Sequence, residues 1–258
     1  MSKQLFIKTF GCQMNEHDTE KIAGVMSGMG YSLTNSPDNA DMIILNTCSV
    51  REKAEHKCYS DLGRIHELKK ANPDLIIGVG GCVAQQEGIN IVKKAPYVDL
   101  VFGTDNIADI PGLLEKKGKT SNDRVSTVRR KTKYLSNVSD VTTVTTIKRS
   151  HTVKAGVSIV DGCDKFCTFC VVPFTRGRER SRQPDDICKE VSGLAANGYK
   201  EVTLLGQNVD SYGKDLGGVT CLADLLRIIS DINGIERIRF ITSHPADLDD
   251  NLIDAIAK

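Results

Sequence analysis

The sequence lacks the features that mark several large classes of protein. It contains no tryptophan, its aromatic content is only 5%, and its formal net charge is +1. No run approaches the roughly 18 apolar residues that a membrane-spanning helix needs, and the N-terminus has no signal-peptide hydrophobic core. These absences give no global sign of a nucleic-acid partner, and they predict a cytoplasmic protein without a membrane partner.

The near-neutral total conceals one strongly basic stretch. Residues 116–154 contain eleven lysines and arginines against two aspartates, a local net charge of +9. We interpret this stretch as a linker between two domains. Its charge would also attract nucleic-acid phosphates without regard to sequence, and both interpretations stay open.

The N-terminal part, 1–115, alternates strand and helix patterns. Apolar runs typical of buried strands are "KQLFIKTF", "ADMIILNTC" and "DLIIGVGGC", followed by the shorter "YVDLVFG". Helical stretches lie between them at His17–Met29, Arg51–Lys70 and Val83–Lys94. This alternation predicts an α/β domain with a doubly wound parallel sheet.

The same alternation resumes over 155–258. Three strand patterns, "AGVSIVDGC", "KEVTLLGQNV" and "IERIRFITSHP", are each followed by a helical stretch. They predict the first half of a (β/α) barrel, with its chemistry at the carboxyl ends of the strands. Because a full barrel needs more chain, we expect this domain to be incomplete.

Three cysteines lie close together after the first barrel strand. Cys163, Cys167 and Cys170 form a C-x3-C-x2-C pattern, and thiols in a reducing cytoplasm are more typical of metal ligands than of disulfides. A structural zinc site would lack a nearby fourth ligand, and a CxxC redox pair would leave Cys163 unexplained. Three thiolates can hold a [4Fe–4S] cube with one open iron, as an enzyme that reduces S-adenosylmethionine requires.

Three other cysteines each follow a predicted strand and precede a helix. Cys12, Cys48 and Cys82 are more than thirty positions apart, yet the carboxyl ends of parallel strands share one edge of a sheet. We therefore expect them to converge, near helix N-termini that would stabilise thiolates and an anionic cluster. The remaining cysteines lack this placement and are expected in the core or on the surface: Cys58, Cys188 and Cys221.

Polar residues occupy the other strand ends and the segment after the cysteine loop. We expect cofactor or base contacts from Gly206, Gln207, Asn208 and Ser243, whereas the neighbouring His244 is interpreted as structural. The run "RGRERSR" carries arginines at alternate positions, which share one face in an extended segment. These arginines are predicted to bind RNA phosphates or to position S-adenosylmethionine: Arg176, Arg178, Arg180 and Arg182.

Together these motifs resemble those of the methylthiotransferases, a family of radical S-adenosylmethionine enzymes. The resemblance rests on "GCDKFCTFCVVPFTRGRERSR" and on "FGCQMNEHD", "NTCSVREKAEHK" and "GGCVAQQ" upstream, and it covers essentially the whole chain. The segments "LLGQNVDSYG" and "TSHP" are similar to the tRNA-modifying branch of the family.

The resemblance implies two [4Fe–4S] clusters and S-adenosylmethionine as cofactors. One cluster would cleave S-adenosylmethionine on Cys163, Cys167 and Cys170, and an auxiliary, sulfur-carrying cluster would lie on the other cysteine triplet. The implied reaction uses a 5′-deoxyadenosyl radical to place a methylthio group on C2 of N6-isopentenyladenosine beside the tRNA anticodon, since that C–H bond has no acidic proton.

The resemblance also implies partners and further domains. The partners would be the anticodon loop of tRNA and an electron donor such as flavodoxin or ferredoxin, acting on a monomer. Members of the family complete the barrel and end in a tRNA-binding TRAM domain, which this sequence does not reach. Three alternatives stay open: modification of threonylcarbamoyl-adenosine in tRNA, modification of a ribosomal protein, and a non-catalytic iron–sulfur protein.

Overall fold

The computed structural model describes residues 2–49, 52–116, 120–129, 147, 149–217 and 220–257, with backbone alone over 52–55. These residues form two compact units, one up to residue 129 together with residue 147, and one from 149 onward. Most of the basic stretch predicted as a linker over 116–154 lies outside the described residues. Its described part up to residue 129 belongs to the first unit, where Val125 and Ser126 pair with the sheet, so the linker prediction is wrong there. None of the helices in the described part of the chain has the length and apolar character of a membrane span.

The first unit is built on a six-stranded sheet. Its strands are β1 (Lys3–Thr9), β2 (Tyr31–Leu33), β3 (Met42–Thr47), β4 (Ile76–Gly81), β5 (Leu100–Phe102) and β6 (Val125–Ser126). Its helices are α1 (Gln13–Gly28), α2 (Glu52–Ala71), α3 (Cys82–Glu87), α4 (Ile89–Lys94) and α5 (Ile110–Glu115). All pairings are parallel, in the order β2-β1-β3-β4-β5-β6.

Both faces of this sheet are covered by apolar side chains. Ile22 and Met26 of α1 belong to a buried cluster with Ile44 of β3, whereas Leu62 of α2 belongs to a second cluster with Ile43 of the same strand. A strand buried on both faces is apolar without alternation, which explains the run "MIIL" in β3. The predicted doubly wound parallel sheet is confirmed.

The described part of the second unit contains five strands, three of which form a smaller parallel sheet. Its strands are β7 (Lys154–Ser158), β8 (Val160–Asp161), β9 (Arg180–Ser181), β10 (Glu201–Leu205) and β11 (Arg237–Phe240). Its helices are α6 (Val172–Thr175), α7 (Pro184–Ala196), α8 (Leu222–Ser230) and α9 (Asp250–Ala257). Strands β7, β10 and β11 pair in chain order, while β8 and β9 form an antiparallel pair.

Successive parallel strands that pair in chain order are typical of the first strands of a (β/α) barrel rather than of a doubly wound sheet. One apolar cluster joins α7, α8 and α9 to the sheet through Val191, Leu225 and Leu252. The described residues show no closed barrel. The predicted fold class, a doubly wound sheet followed by the first part of a barrel, is therefore confirmed.

Candidate metal centres

The first unit places its three predicted ligands after three neighbouring strands. Cys12 follows β1, Cys48 directly follows β3, and Cys82 directly follows β4. Thr47 and Gly81, which precede the last two cysteines, are register partners. Adjacent strands lie about 4.8 Å apart, so the three chain segments emerge within about 10 Å of one another at the same edge.

This edge is also the place where the strand order reverses. β1 has β2 on one side and β3 on the other, so the connections that leave β1 and β3 run to opposite faces of the sheet. Open α/β sheets bind their ligands in the crevice at such a switch point. Cys12 and Cys48 follow the two strands at this switch point, which is the position where the topology favours a ligand in this unit.

Two glycines allow the strand ends to approach closely. A Cβ atom on Gly11 would lie 2.6 Å from Sγ of Cys48, and one on Gly81 would lie 2.3 Å from the carbonyl oxygen of Thr47. Both glycines also have positive φ values, +105° and +88°, which L side chains rarely adopt. The backbone is therefore shaped to bring the cysteine-bearing segments together.

A buried amide fixes the loop that carries Cys12. Asn15 is fully buried, and its Nδ2 donates hydrogen bonds to the carbonyl oxygens of Phe10 and Thr47, both at 2.8 Å. Nδ2 of Asn46 donates a 2.8 Å hydrogen bond to the carbonyl oxygen of Asn15. Sequence reasoning missed both asparagines, although a polar residue within the apolar run of β3 was a usable signal.

The thiols of this edge differ in exposure. Cys12 is exposed at the N-cap of α1, whereas Cys48 and Cys82 are buried. In the residues described, no group of three or more His, Cys, Asp and Glu side chains forms a set that could hold a metal ion. The three thiols follow neighbouring strand ends, and they would be the ligands of a cluster bound in this unit.

The second unit presents its cysteines on the loop that follows β8. Cys163 is buried, and its amide donates a 3.1 Å hydrogen bond to the carbonyl oxygen of Gly177. The amide of Cys170 donates to the carbonyl oxygen of Cys167 at 2.9 Å, which makes a tight turn. Burial raises the pKa of the Cys163 thiol, with smaller contributions from nearby charges. The loop is a compact, hydrogen-bonded structure.

Two residues near this loop have backbone conformations that are unusual for side-chain-bearing residues. Phe166, inside the cysteine loop, has φ +48°, and Thr242, after β11, has φ +74°. Such conformations cost on the order of 1–3 kcal/mol each and concentrate at functional sites. They are the only non-glycine residues with positive φ in the described chain, and both lie on loops at the carboxyl ends of the barrel strands.

A buried carboxylate connects three of these loops. Asp247, whose side chain is 1% exposed, accepts hydrogen bonds from Lys165 of the cysteine loop and from Asn208 after β10, both at 2.7 Å, and from Lys214. Burial alone would raise the pKa of Asp247, but these donors outweigh it and hold that pKa far below its usual range. Asp247 is therefore ionised, and it holds the loops in one arrangement.

The residues predicted to contact cofactor lie at the ends of β10 and β11. A Cβ on Gly206 would lie 2.4 Å from a methyl carbon of Val160, so this position has no room for a side chain. Gln207 accepts a hydrogen bond from the amide of Gly162, beside Cys163. Ser243 is exposed and donates a 3.0 Å hydrogen bond to Asp210.

Glu179 is a second unusual carboxyl group near the cysteine loop. Burial raises its pKa from 4.5 to about 7, against a lowering contribution from the hydrogen bond that Ser211 donates. The nearby carboxylates of Asp164 and Asp215 add to the increase. Sequence reasoning gave Glu179 no role, because its burial depends on tertiary packing.

The four arginines after the cysteine loop do not share one face, so that part of the prediction is wrong. Arg176 ends α6 and, like Arg180, is buried in an ion pair with Asp161 at 3.3 Å. Arg182 pairs with Glu190 at 2.7 Å. Only Arg178 is largely exposed, at 70%, where it pairs with Asp164 at 3.4 Å and lies over the ring of Phe166. The segment is not extended throughout, because strand β9 covers only two of its residues.

Two family descriptions match this chain. Residues 4–103 match the uncharacterized protein family UPF0004, and residues 157–258 match the radical SAM superfamily. The first match covers the sheet with Cys12, Cys48 and Cys82, and the second begins within β7 and includes the cysteine loop.

Curated relatives share about half of their residues with the chain. The tRNA-2-methylthio-N(6)-dimethylallyladenosine synthase of Bacillus subtilis (strain 168) is 49% identical over 259 residues, which are 99% of this chain and 49% of that protein. The protein of the same name from Janthinobacterium sp. (strain Marseille) is 49% identical over 261 residues, 100% of this chain and 57% of that protein. The chain thus spans about half the length of the curated relatives it matches.

Solved structures of low sequence identity share the fold. The radical S-adenosylmethionine methyltransferase TsrM from Kitasatospora setae, with cobalamin and a [4Fe-4S] cluster bound, has a TM-score of 0.59 at 13% identity and covers 100% of this chain and 59% of its own. The cobalamin-dependent S-adenosylmethionine radical enzyme OxsB has a TM-score of 0.57 at 15% identity, and the match covers 93% of this chain and 38% of the OxsB chain.

Proposed function

Because the chain belongs to the methylthiotransferase family of radical S-adenosylmethionine enzymes, we propose that it attaches a methylthio group to C2 of N6-isopentenyladenosine beside the tRNA anticodon. Its curated relatives are named as synthases of a 2-methylthio, N6-dimethylallyl adenosine in tRNA. The chain spans about half of those relatives, so its activity, substrate and partners are part of the proposal.

The observation that carries the proposal is the placement of the two cysteine triplets. In the first unit, Cys12, Cys48 and Cys82 follow three neighbouring strands of the parallel sheet, at the edge where such sheets bind ligands. In the second unit, Cys163, Cys167 and Cys170 share the loop after the short strand β8, which directly follows β7 of the parallel sheet. Cysteine thiolates are the usual ligands of [4Fe–4S] clusters. We assign one cluster to Cys163, Cys167 and Cys170 and an auxiliary cluster to the triplet of the first unit.

The residues present fit such clusters. Gly11 and Gly81 allow the cysteine-bearing segments of the first triplet to approach closely, because a Cβ at either position would collide with Cys48 or Thr47. The second triplet lies on a loop held by backbone hydrogen bonds. When bound, the cube of the second unit would supply the electron that cleaves S-adenosylmethionine, and the auxiliary cube would supply sulfur. The protein's part is to hold the thiolates, to shield them from water and to position the substrates.

The end of β10 offers unused polar atoms for S-adenosylmethionine. Oδ1 of Asn208 and Nε2 of Gln207 are buried and have no hydrogen-bond partner among the described residues. Buried polar atoms left unpaired cost free energy, so an acceptor and a donor in this position indicate a polar ligand. We propose that Gly206, Gln207, Asn208 and Ser243 contact the cofactor.

The RNA contact is proposed for Arg178. Its exposed guanidinium lies 4.9 Å from the centre of the Phe166 ring, an arrangement that can bind a phosphate beside an exposed aromatic group. Arg176, Arg180 and Arg182 already bind carboxylates in the second unit. We therefore propose that they stabilise the segment after the cysteine loop and do not contact RNA directly.

The remaining features of the proposal concern organisation and cellular setting. We propose that the domain with the auxiliary cluster, expected over 1–115, extends to residue 129, because β6 pairs with β5 in its sheet. We also propose that the rest of the stretch 116–154 is a basic linker and that 155–258 is a radical S-adenosylmethionine domain. We further propose a monomer in the cytoplasm, reduced by a flavodoxin or a ferredoxin.

The proposal is tested by anaerobic reconstitution with iron and sulfide, followed by incubation with S-adenosylmethionine, a reductant and isopentenylated tRNA. We expect 5′-deoxyadenosine and a methylthiolated nucleoside, measured by mass spectrometry. Cys170→Ala should abolish both products, and Cys12→Ala should abolish only the methylthiolated nucleoside. Cys188→Ala, a half-buried cysteine in α7, should retain both.

Two outcomes would contradict the proposal. Formation of 5′-deoxyadenosine with unchanged tRNA nucleosides would refute the substrate. A reconstituted cluster that yields no 5′-deoxyadenosine would favour a non-catalytic iron–sulfur protein.

A further inference from the structure

A histidine side chain lies directly beside one of the proposed cluster ligands. His244 follows β11, and its Nε2 atom is 3.9 Å from Sγ of Cys167. The two residues are 77 positions apart in sequence, so the contact is created by the fold. The 3.9 Å distance between Nε2 and Sγ is within the range of a hydrogen bond to sulfur.

The backbone around His244 is held by a short 3₁₀ helix after β10. Val209 donates a 3.0 Å hydrogen bond to the carbonyl oxygen of Thr242, and Asp210 accepts hydrogen bonds from the Ser243 hydroxyl at 3.0 Å and the His244 amide at 3.1 Å. Thr242 is also in the left-handed region, at φ +74°. A strained residue persists only where its surroundings over-determine it, so these hydrogen bonds fix where the imidazole lies.

The ring nitrogens have distinct roles. Nδ1 of His244 accepts a 3.2 Å hydrogen bond from the backbone amide of Ala246. A neutral imidazole nitrogen that accepts a hydrogen bond carries no proton, so the proton of the ring belongs to Nε2. That N–H group is the one nearest to Cys167.

We propose that His244 is a positioning residue that donates an Nε2–H···S hydrogen bond to the Cys167 thiolate and thereby raises the reduction potential of the cluster that Cys163, Cys167 and Cys170 hold. The inference rests on the proposed function, because it requires that cluster. Hydrogen bonds to cluster sulfurs are one of the factors that set the reduction potential. A donor stabilises the reduced cluster more than the oxidised one, because the reduced cluster carries one more negative charge.

The direct test is a redox titration of the anaerobically reconstituted protein, followed by electron paramagnetic resonance of the reduced cluster. His244→Leu should lower the ratio of reduced to oxidised cluster at a fixed applied potential about tenfold, which is about 59 mV for one electron. His244→Gln retains an N–H donor and should restore most of the shift. His151→Leu, an exposed histidine in the same unit, should titrate like the wild type.

A second readout needs no cluster. Nitrogen-15 spectra of histidine-labelled apoprotein, assigned with the His244→Gln variant, should show the Nε2–H tautomer at His244. The Nδ1–H tautomer there would overturn the inference.

The outcomes separate the inference from the proposed function. A cluster that assembles in the His244→Leu variant and titrates at the wild-type potential overturns the inference alone. A wild-type protein that assembles no cluster on Cys163, Cys167 and Cys170 overturns both.

Discussion

Gly11 offers the sharpest test of the centre in the first unit. An alanine methyl group at this position would lie 2.4 Å from Cβ and 2.6 Å from Sγ of Cys48, closer than van der Waals contact allows. The backbone φ of +105° is also unfavourable for alanine. We therefore expect Gly11→Ala to push the β1 segment, with Cys12, away from Cys48.

The expected cost follows from these two effects. A non-glycine residue in such a backbone conformation costs about 1–3 kcal/mol, and overpacking by one methyl group costs about 1–3 kcal/mol more. The combined cost of about 2–6 kcal/mol is a large part of the about 5–15 kcal/mol that stabilises an ordinary domain. Relief of this strain requires the separation of the two cysteine-bearing segments, so the auxiliary cluster should be lost.

The assay is the iron and sulfide content per chain after anaerobic reconstitution. Two [4Fe–4S] clusters correspond to about eight irons, and Gly11→Ala should retain about four. Gly28→Ala is the matched control, because a Cβ on Gly28 meets no atom within 4 Å, and it should keep the wild-type content. A Gly11→Ala protein with undiminished iron would refute the reasoning.

Three further predictions concern the second unit. Burial raises the folded-state pKa of Glu179 to about 7, so the free energy of unfolding should fall as pH rises from about 4.5 to about 7. Urea unfolding of Glu179→Gln should show no such fall. For Asp247 the free energy of unfolding should change with pH in the opposite direction, because its pKa is lowered. Its stabilisation should be present above its ordinary pKa of about 3.8, should disappear on acidification below it, and should be missing at neutral pH in Asp247→Asn. Arg178→Ala should weaken tRNA binding and reduce the salt dependence by about one phosphate contact, whereas Arg64→Ala, also exposed and paired with an aspartate at 3.4 Å, should not. Equal pH dependence in the variants and the wild type, or equal tRNA binding in the two arginine variants, would contradict these assignments.

The convergence of the strand-end cysteines could be predicted because it depends on topology alone. Parallel strands have their carboxyl ends at one edge, and each of Cys12, Cys48 and Cys82 follows an apolar run that is long enough to identify as a strand. The structure confirms the strands and their adjacency. Whether the thiolates hold a cluster stays a prediction.

Helix boundaries were less predictable where the capping residues were unusual. Helix α1 begins at Gln13 rather than at the predicted His17, because Cys12 is the N-cap and cysteine is not a preferred N-cap residue. The predicted helix Val83–Lys94 is divided into α3 and α4 at Gly88, whose φ is +49°. Apolar periodicity alone does not reveal either feature.

The side-chain partners of the arginine segment could not be predicted, because they come from distant positions. Asp161 is 15 residues before Arg176, and Glu190 lies on α7. Alternate spacing suggested one shared face, but buried carboxylates draw three of the four side chains inward. Local patterns indicate which residues are charged, and tertiary packing decides what they bind.

The central claim is that each unit holds its own iron–sulfur cluster on three cysteines. The most direct measurement is the iron and acid-labile sulfide content of the wild type and of two triple variants, one with alanine at Cys12, Cys48 and Cys82 and one with alanine at Cys163, Cys167 and Cys170. We expect about eight irons in the wild type and about four in each variant. A wild type with about four irons, unchanged by the first triple variant, would contradict the claim.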